Sequence, residues 1–311
     1  MMTLTIVIPC YNEAEVLPET VRRLRSVLQD LESKEKITSN SKLVFVDDGS
    51  KDQTWALIER FADECSVVQG IKLSRNYGHQ NALLAGLLVA QGDALVSVDA
   101  DLQDDLGVIE QMLDACHDGC DVVYGVRENR ETDSAFKRFT AENYYCLLAF
   151  MGVDVVFNHA DYRLLSRRAV EALREYGEVN LFLRGIIPLL GFRSRSISYR
   201  RAERFAGESK YPMRKMLSLA FQGITSFSTF PLRLITVLGL IIFVISSLMG
   251  VWAIGIRLFS DLAVPGWAST VVPAYFLGGI QLLSIGIIGE YLAKIYMETK
   301  RRPRFHIEKL R

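Results

Sequence analysis

The stretch ALVSVDADLQDD (94–105) decides how this chain is read. A short apolar run, Ala94–Val98, passes directly into Asp99-Ala100-Asp101, and Gln103, Asp104 and Asp105 follow. An apolar run of this length with polar residues at its end reads as a buried strand. Carboxylates at its carboxyl end stand where open α/β sheets bind their ligands. Asp-x-Asp offers hard oxygen donors of the kind Mg²⁺ and Mn²⁺ prefer. Magnesium completes its shell with waters and substrate phosphates, so the motif points to a phosphate-bearing substrate. Strand-end aspartates also cap helices, and the motif gains weight only from its neighbours.

Working outward, Leu4–Ile8 is a strand-like run that leads into Pro9-Cys10-Tyr11-Asn12-Glu13, and Leu43–Val46 leads into Asp47-Asp48-Gly49-Ser50. Val67–Leu73 and Val122–Tyr124 are further strand patterns. Leu17, Val21, Leu24, Leu28 and Leu31 repeat at helical spacing, and helical patterns also fill about 53–64, 79–91 and 106–117. This alternation predicts an α/β fold, a mostly parallel sheet with helices on both faces. Three polar clusters at strand ends would then converge on one crevice. No two glycines stand two apart, so G-x-G-x-x-G is absent, as is the P-loop G-x-x-x-x-G-K-[ST]. A dinucleotide dehydrogenase and a P-loop NTPase are therefore poor fits.

The 311 residues carry 36 basic and 36 acidic side chains, a balance that argues against a globally basic nucleic-acid binder. The balance hides an asymmetry: residues 1–110 hold 18 acidic against 10 basic, whereas 191–217 hold eight basic against two acidic and 294–311 seven against two. Five scattered cysteines with no C-x-x-C pair make neither a disulfide scaffold nor a zinc site, and reduced thiols are expected. The first residues run straight into a strand pattern, so no secretory signal peptide is expected.

Leu234–Ile256 is 23 residues without a charge. As a helix it would span about 34 Å, enough for a bilayer core of about 30 Å. Leu262–Gly289 is a second uncharged stretch, of 28 residues, interrupted early by Pro265 and Pro273. A two-helix transmembrane hairpin is expected, with spans near 234–256 and 272–294. The loop between them is nearly free of Lys and Arg while both flanks are basic, so the positive-inside rule places both termini in the cytoplasm. The expected organisation is a catalytic domain at 1–211, an amphipathic juxtamembrane segment at 212–231, the hairpin within 232–297 and a basic cytosolic tail at 298–311. Basic flanks would also favour anionic headgroups.

IVIPCYNE (6–13), VDDGSKDQT (46–54), LSRNYGHQ (73–80) and DADLQDD (99–105) resemble the family 2 GT-A glycosyltransferases. GVRENR (125–130), FKR (136–138), HADYRLLSR (159–167), NLFLRGI (180–186), RFAGESKYP (204–212) and GITSFSTFPLR (223–233) narrow the resemblance. They are similar to the polyisoprenyl-phosphate hexosyltransferases, a group that includes bactoprenol glucosyltransferases and is related to dolichyl-phosphate mannose synthase. The resemblance covers nearly the whole chain, and it is far more specific for the branch than for the sugar. It implies a nucleotide lying over Pro9, Tyr11, Asn12 and Glu13, with Asp47 and Asp48 near the base. It also implies Asp99 beside the sugar nucleotide and a metal set of Asp99, Asp101 and Gln103. Arg75 matches a basic position of the third motif. Relatives often carry Asp-Pro where Asp104-Asp105 stands here, and Asp105 is read as a cap of the following helix.

Arg127, Arg130, Lys137 and Arg138 read either as a solvated basic face or as a clamp for an acceptor phosphate, to which Arg offers two parallel donors. Arg204 and Lys210, in a basic segment with Arg200 and Arg201, read as headgroup contacts or as a cover for the site. His79 and His159 border motifs without a role assigned to them. Asp161 matches the family's candidate base or acceptor-positioning carboxylate, and its alternative is simply to hold Arg163. A phosphate monoester is largely a dianion at pH 7, which favours positioning.

The expected activity is metal-dependent, inverting transfer of a hexose to undecaprenyl phosphate at the bacterial inner membrane. The donor is UDP-glucose foremost, with mannose or an aminosugar as alternatives. Asp101 and Asp161 are the expected catalytic residues and Mg²⁺ or Mn²⁺ the cofactor. The nucleotide sugar, the lipid phosphate and the bilayer are the expected partners, nucleic acid is not, and a homo-oligomer is left open. A processive polysaccharide synthase is disfavoured because Q-x-x-R-W is absent and two spans make a poor pore. A non-catalytic glycolipid-transfer partner is disfavoured because the acidic clusters are intact.

Overall fold

A computed structural model describes residues 1–127, 159–178, 181–200, 231–232, 234–242, 244–245, 248 and 267–311. Its centre is strand β1, Leu4–Cys10, all seven residues of which are buried. A strand apolar on both faces belongs between two helical layers, and its neighbours match. On one side lie β2 (Lys42–Asp47) and β3 (Val68–Leu73), and on the other β4 (Ala94–Ser97). These four strands are mutually parallel. Helices α1 (Leu17–Ser33), α2 (Thr54–Glu64), α3 (His79–Val89) and α4 (Val108–His117) connect or follow them. The leucine and valine repeat of α1 is its buried face, from Leu17 to Leu31. Helix α3 lies so close to the sheet that a Cβ on Gly86 would come within 2.3 Å of Val7 Cγ1.

Beyond β4 the sheet contains the strand expected at Val122–Tyr124 and two more that the sequence pattern did not separate. Strand β5 (Val122–Arg127) and β6 (His159–Ser166) precede α5 (Arg167–Arg174), α6 (Leu183–Leu189) and β7 (Ser194–Tyr199). Strand β6 runs antiparallel to both β4 and β5. A final strand, β8 (Ile307–Leu310), pairs antiparallel with β3. The order across the eight-stranded sheet is β7-β5-β6-β4-β1-β2-β3-β8. The segment read as a basic tail thus ends in a strand of the catalytic sheet.

The chain divides into two compact units, and the tail from Arg301 onward belongs with the sheet. The other unit contains α7, Trp267–Thr299, 33 residues long. Within it Phe276–Thr299 is the one helical stretch among the described residues long and apolar enough to cross a membrane. Residues 234–242, 244, 245 and 248 are helical; the rest of the expected first span and nearly all of the juxtamembrane segment lie outside the described residues.

Candidate active site

The register explains how the polar clusters meet. Cys10 at the end of β1 pairs with Asp47 at the end of β2, and the Asp48 amide donates to the Cys10 carbonyl at 2.9 Å. The loop after β1 is then fastened to the loop after β2. Asn12, with φ of 55°, donates its amide to Ser50 Oγ at 2.9 Å and accepts from the Lys51 amide at 2.8 Å. The Glu13 amide donates to Thr54 Oγ1 at 2.9 Å. Pro9 and Cys10 are buried and Tyr11 is exposed.

Asp47 is wholly buried. It accepts from the Ser50 amide at 3.3 Å, its second oxygen has no hydrogen-bond partner, and burial pushes its carboxyl up from the usual range. Asp48 accepts the amides of Tyr77 and Gly78, at 2.7 and 2.9 Å. It therefore ties the loop after β3 to the loop after β2. Arg75 in that loop stacks its guanidinium 4.5 Å from the Tyr77 ring centre. Gly49 makes the fit possible: its φ is +66°, and a Cβ there would lie 2.5 Å from the Arg75 carbonyl carbon.

The second half of the site forms where β6 runs against β4. Ser97 pairs with Arg163 in antiparallel register, so Asp99, two residues on, faces Asp161, two residues back. His79, at the start of α3, lies between them, its Nε2 3.5 Å from Asp99 Oδ1 and 3.7 Å from Asp161 Oδ2. Asp161 is enclosed by arginines. Arg184 donates through Nε to Oδ1 at 3.2 Å and through Nη2 to Oδ2 at 3.1 Å, and Arg163 donates to Oδ1. Burial alone would raise the Asp161 carboxyl, but Arg184, Arg163 and His79 hold it well below the ordinary carboxylate range. Arg163 is itself fully buried, with two of its nitrogens lacking any hydrogen-bond partner.

Asp101 accepts from the Gln103 amide at 3.2 Å across Leu102, whose φ is 57°. Asp104 is buried, bonded by the Tyr199 hydroxyl, and one of its oxygens has no partner. Burial and the neighbouring Asp99 push its carboxyl up to about 6. Asp99 is raised too, by desolvation first and then by Asp161 and Asp101 against the lowering effect of His79. Asp105 accepts from the Gly107 amide at 2.9 Å in a turn just before α4, but the N-cap of that helix is Gly107 and no side chain caps it, so the expected capping role of Asp105 is not met. Arg127, at the end of β5, donates to the Tyr199 hydroxyl at 3.3 Å and lies 4.0 Å from Asp104. Arg130, Lys137, Arg138, Arg204 and Lys210 lie outside the described residues.

Hard oxygen donors in partly desolvated space, with Asp99 and Asp104 raised first by burial and then by neighbouring carboxylates, suit a divalent cation. Among the described residues no group of three or more His, Cys, Asp or Glu side chains is placed to hold a metal ion. A magnesium site needs no such group, since it uses one or two carboxylates and leaves the rest of the shell to water and substrate phosphate. Asp99, Asp101 and Gln103 are the residues that would hold the ion.

A mostly parallel sheet with aspartates at the ends of neighbouring strands is the frame on which α/β enzymes bind their ligands. Residues 5–174 match the family model Glycosyl transferase family 2, and the chain belongs to that family as a GT-A glycosyltransferase. The uncharacterized glycosyltransferase YkoT of Bacillus subtilis is 50% identical over 307 residues, 98% of this chain and 91% of that protein. The prophage bactoprenol glucosyl transferase homolog of Escherichia coli is 39% identical over 311 residues, 100% of each chain. The bactoprenol glucosyl transferase of Shigella phage SfII is 41% identical over 309 residues, 99% of this chain and 98% of that one. Among solved structures, glucosyl-3-phosphoglycerate synthase from Mycobacterium tuberculosis is 18% identical, covering 72% of this chain and 76% of its own, with a TM-score of 0.46.

Sequence reasoning missed Arg184 and gave His79 no role. Arg184 sits within the quoted motif NLFLRGI, but nothing in its spacing shows that α6 returns it to β6. His79 opens α3 20 residues before Asp99, and only the fold brings it between Asp99 and Asp161.

Proposed function

We propose that this glycosyltransferase moves a hexose, glucose from UDP-glucose foremost, onto undecaprenyl phosphate with inversion at C1. The supporting observation is the state of Asp161, a carboxylate beside Asp99 that two arginines keep ionised and fixed in orientation. Such a group is a poor base and a good positioner. A hydroxyl acceptor needs a base, whereas a phosphate monoester with a second pKa near 6 is already a nucleophilic dianion at pH 7. The site therefore suits a phosphate acceptor. The names of the bactoprenol glucosyl transferase relatives and the apolar helix Phe276–Thr299 point to one borne by a lipid.

In this reading the nucleotide rests on the platform of Pro9, Tyr11, Asn12 and Glu13, closed by Asp47, Asp48 and the Arg75–Tyr77 stack. Asp99 faces the hexose. The acceptor phosphate oxygen forms a bond to C1 as the bond from C1 to the diphosphate oxygen breaks, and UDP departs with the electron pair. Dianionic lipid phosphate becomes a monoanionic diester and UDP gains one negative charge, so no proton moves. Asp161, fixed by Arg184 and Arg163, orients the approach, an effect worth several kcal/mol when the geometry is right. A divalent ion held by Asp99, Asp101 and Gln103 would offset charge on the departing diphosphate. Arg127, together with Arg130, Lys137, Arg138, Arg204 and Lys210 as the sequence motifs suggest, would contact the acceptor phosphate. The domain stands on the cytoplasmic side of an inner-membrane hairpin with both termini inside, as the basic flanks favour.

The test is incubation of the purified full-length protein and undecaprenyl phosphate with a panel of radiolabelled nucleotide sugars. Label entering the lipid phase from UDP-glucose above all others is the expected result. Transfer from a GDP-linked sugar alone would overturn the choice of donor, and no transfer from any would overturn the reading.

A further inference from the structure

The last residues of the chain return to the sheet beside the nucleotide side of the site. Without β8, β3 would be an edge strand with unpaired backbone groups. Ile71 pairs with Leu310, Lys72 with Lys309 and Leu73 with Ile307, and the register shifts between Lys72 and Leu73. Gly70 and Arg311 exchange amide-to-carbonyl bonds, both at 2.9 Å, and the Ser74 amide donates to the His306 carbonyl at 3.0 Å. That last bond lies at the first residue of the loop Ser74–Gly78.

The same loop carries the contacts that shape the donor side. The Ser74 hydroxyl lies 3.1 Å from the Tyr77 hydroxyl, and the His306 ring lies 6.5 Å, centre to centre, from the Tyr77 ring. The Tyr77 and Gly78 amides hold Asp48, and Gly49 is pressed against the backbone of Arg75 and Asn76. A continuous set of contacts therefore runs from His306 through Ser74 and Tyr77 to Asp48.

The basic character of the tail has a protein partner as well. Lys309 pairs with Glu59 on α2, Arg311 lies 3.7 Å from Glu59 and 3.9 Å from Asp63, and Lys72 pairs with Glu308 at 3.0 Å. Glu59 and Asp63 are four residues apart and so share one face of α2. Upstream, Arg304 donates to the Tyr176 carbonyl. Four residues make a short strand, and these ion pairs add to the few ladder bonds that hold it.

We propose that the carboxyl-terminal strand is a positioning element of the donor site: through His306 and the β3 edge it holds the Ser74–Gly78 loop, and with it Asp48, in the geometry that binds the nucleotide. The proposal rests on the donor-site reading given above. It makes nucleotide affinity depend on residues more than 220 positions away in sequence, in a segment that directly follows the apolar helix.

The probe is UDP, titrated calorimetrically with Mn²⁺ present into the full-length protein in a neutral detergent, where anionic headgroups cannot contribute. Removal of residues 303–311 is expected to raise the UDP Kd about tenfold, equivalent to about 1.4 kcal/mol. The donor KM should rise with it, while the KM for undecaprenyl phosphate stays within about twofold. His306→Ala is expected to weaken UDP about threefold. Glu59→Lys and Lys309→Glu should each weaken it similarly, and the two together should recover part of the loss, since the swap restores that pair while leaving Arg311 beside a lysine. A shortened protein that still unfolds cooperatively and binds UDP as the wild type does would overturn the proposal. If the shortened protein does not fold, the charge pair decides: single reversals without effect, or a double reversal without recovery, would overturn it. Wild-type protein that binds no UDP would instead remove the donor-site reading, and this inference with it.

Discussion

Both ends of the Arg184 guanidinium fork meet the Asp161 carboxylate, Nε at 3.2 Å from Oδ1 and Nη2 at 3.1 Å from Oδ2. A two-point contact fixes the plane of the carboxylate as well as its charge, which a single-point ammonium does not do. The carboxylate so fixed faces the acidic motif across His79.

Replacing Asp161 with Asn is expected to lower kcat about 100-fold, the scale on which misplacement of a reacting group acts. The donor KM should change little. Because Arg184 and Arg163 hold the carboxyl far below the ordinary range, it stays ionised throughout pH 6 to 8 and the defect should persist across that interval. A pH–rate profile of kcat/KM checks this; a variant recovering near pH 8 would show that Asp161 acts as a base. Arg184→Lys keeps the charge and loses the fork, and an intermediate loss of about tenfold is expected.

Asp101→Asn removes an anionic oxygen donor at nearly constant shape. Transfer is expected to fall by about 100-fold or more while UDP-independent thermal stability is kept. Excess EDTA should imitate the substitution in the wild type, and Mn²⁺ or Mg²⁺ should restore it. Full activity in EDTA would contradict the metal assignment.

Gly49→Ala places a Cβ against the backbone of Arg75 and Asn76 at a residue with φ of +66°. The left-handed conformation costs a non-glycine residue about 1–2 kcal/mol, and relief requires the loop after β3 to move. The expected result is a UDP Kd about tenfold higher, read by calorimetry, with a smaller fall in Tm. Unchanged affinity would separate that loop from nucleotide binding.

Much of this was legible in the sequence because β1 to β4 are parallel strands, β1 and β4 buried on both faces, whose apolar runs end at polar clusters. The four motifs therefore mark four neighbouring loops. Strand β6 was not legible as such: it is antiparallel, so Asp161 enters the site from the amino-terminal half of its strand, against the rule that reads function at carboxyl ends. The tail was read as a basic flank of the membrane span because Lys309 and Arg311 show their charge in the sequence but not their partners, Glu59 and Asp63. The pairing of β8 with β3 spans more than 230 residues, a separation no local pattern reports.

Asp121 offers a stability test away from the site. Desolvation raises its carboxyl, but hydrogen bonds from Arg168 and from Ser166 Oγ, the latter at 2.8 Å, outweigh it and hold it below the ordinary value of 3.8. A lowered carboxyl stabilises the fold above its unfolded value, and the contribution is lost as pH falls through the folded one. With Arg168 largely exposed, the pair contributes at most about 1 kcal/mol. Asp121→Asn is therefore expected to lower the apparent Tm by about 2–4 °C at pH 7. The difference from wild type should begin to shrink as pH nears the ordinary value of 3.8 and vanish once pH has fallen through the lower folded one, and a difference that grew on acidification would contradict the sign.

The most direct measurement gives the wild-type protein, in bilayers, UDP-[¹⁴C]glucose and either undecaprenyl phosphate or undecaprenol. Organic-extractable label is expected with the phosphate and not with the alcohol, and it should be lost in Asp101→Asn. Equal labelling of the alcohol, or label appearing only in a water-soluble polymer, would contradict transfer to a lipid-borne phosphate.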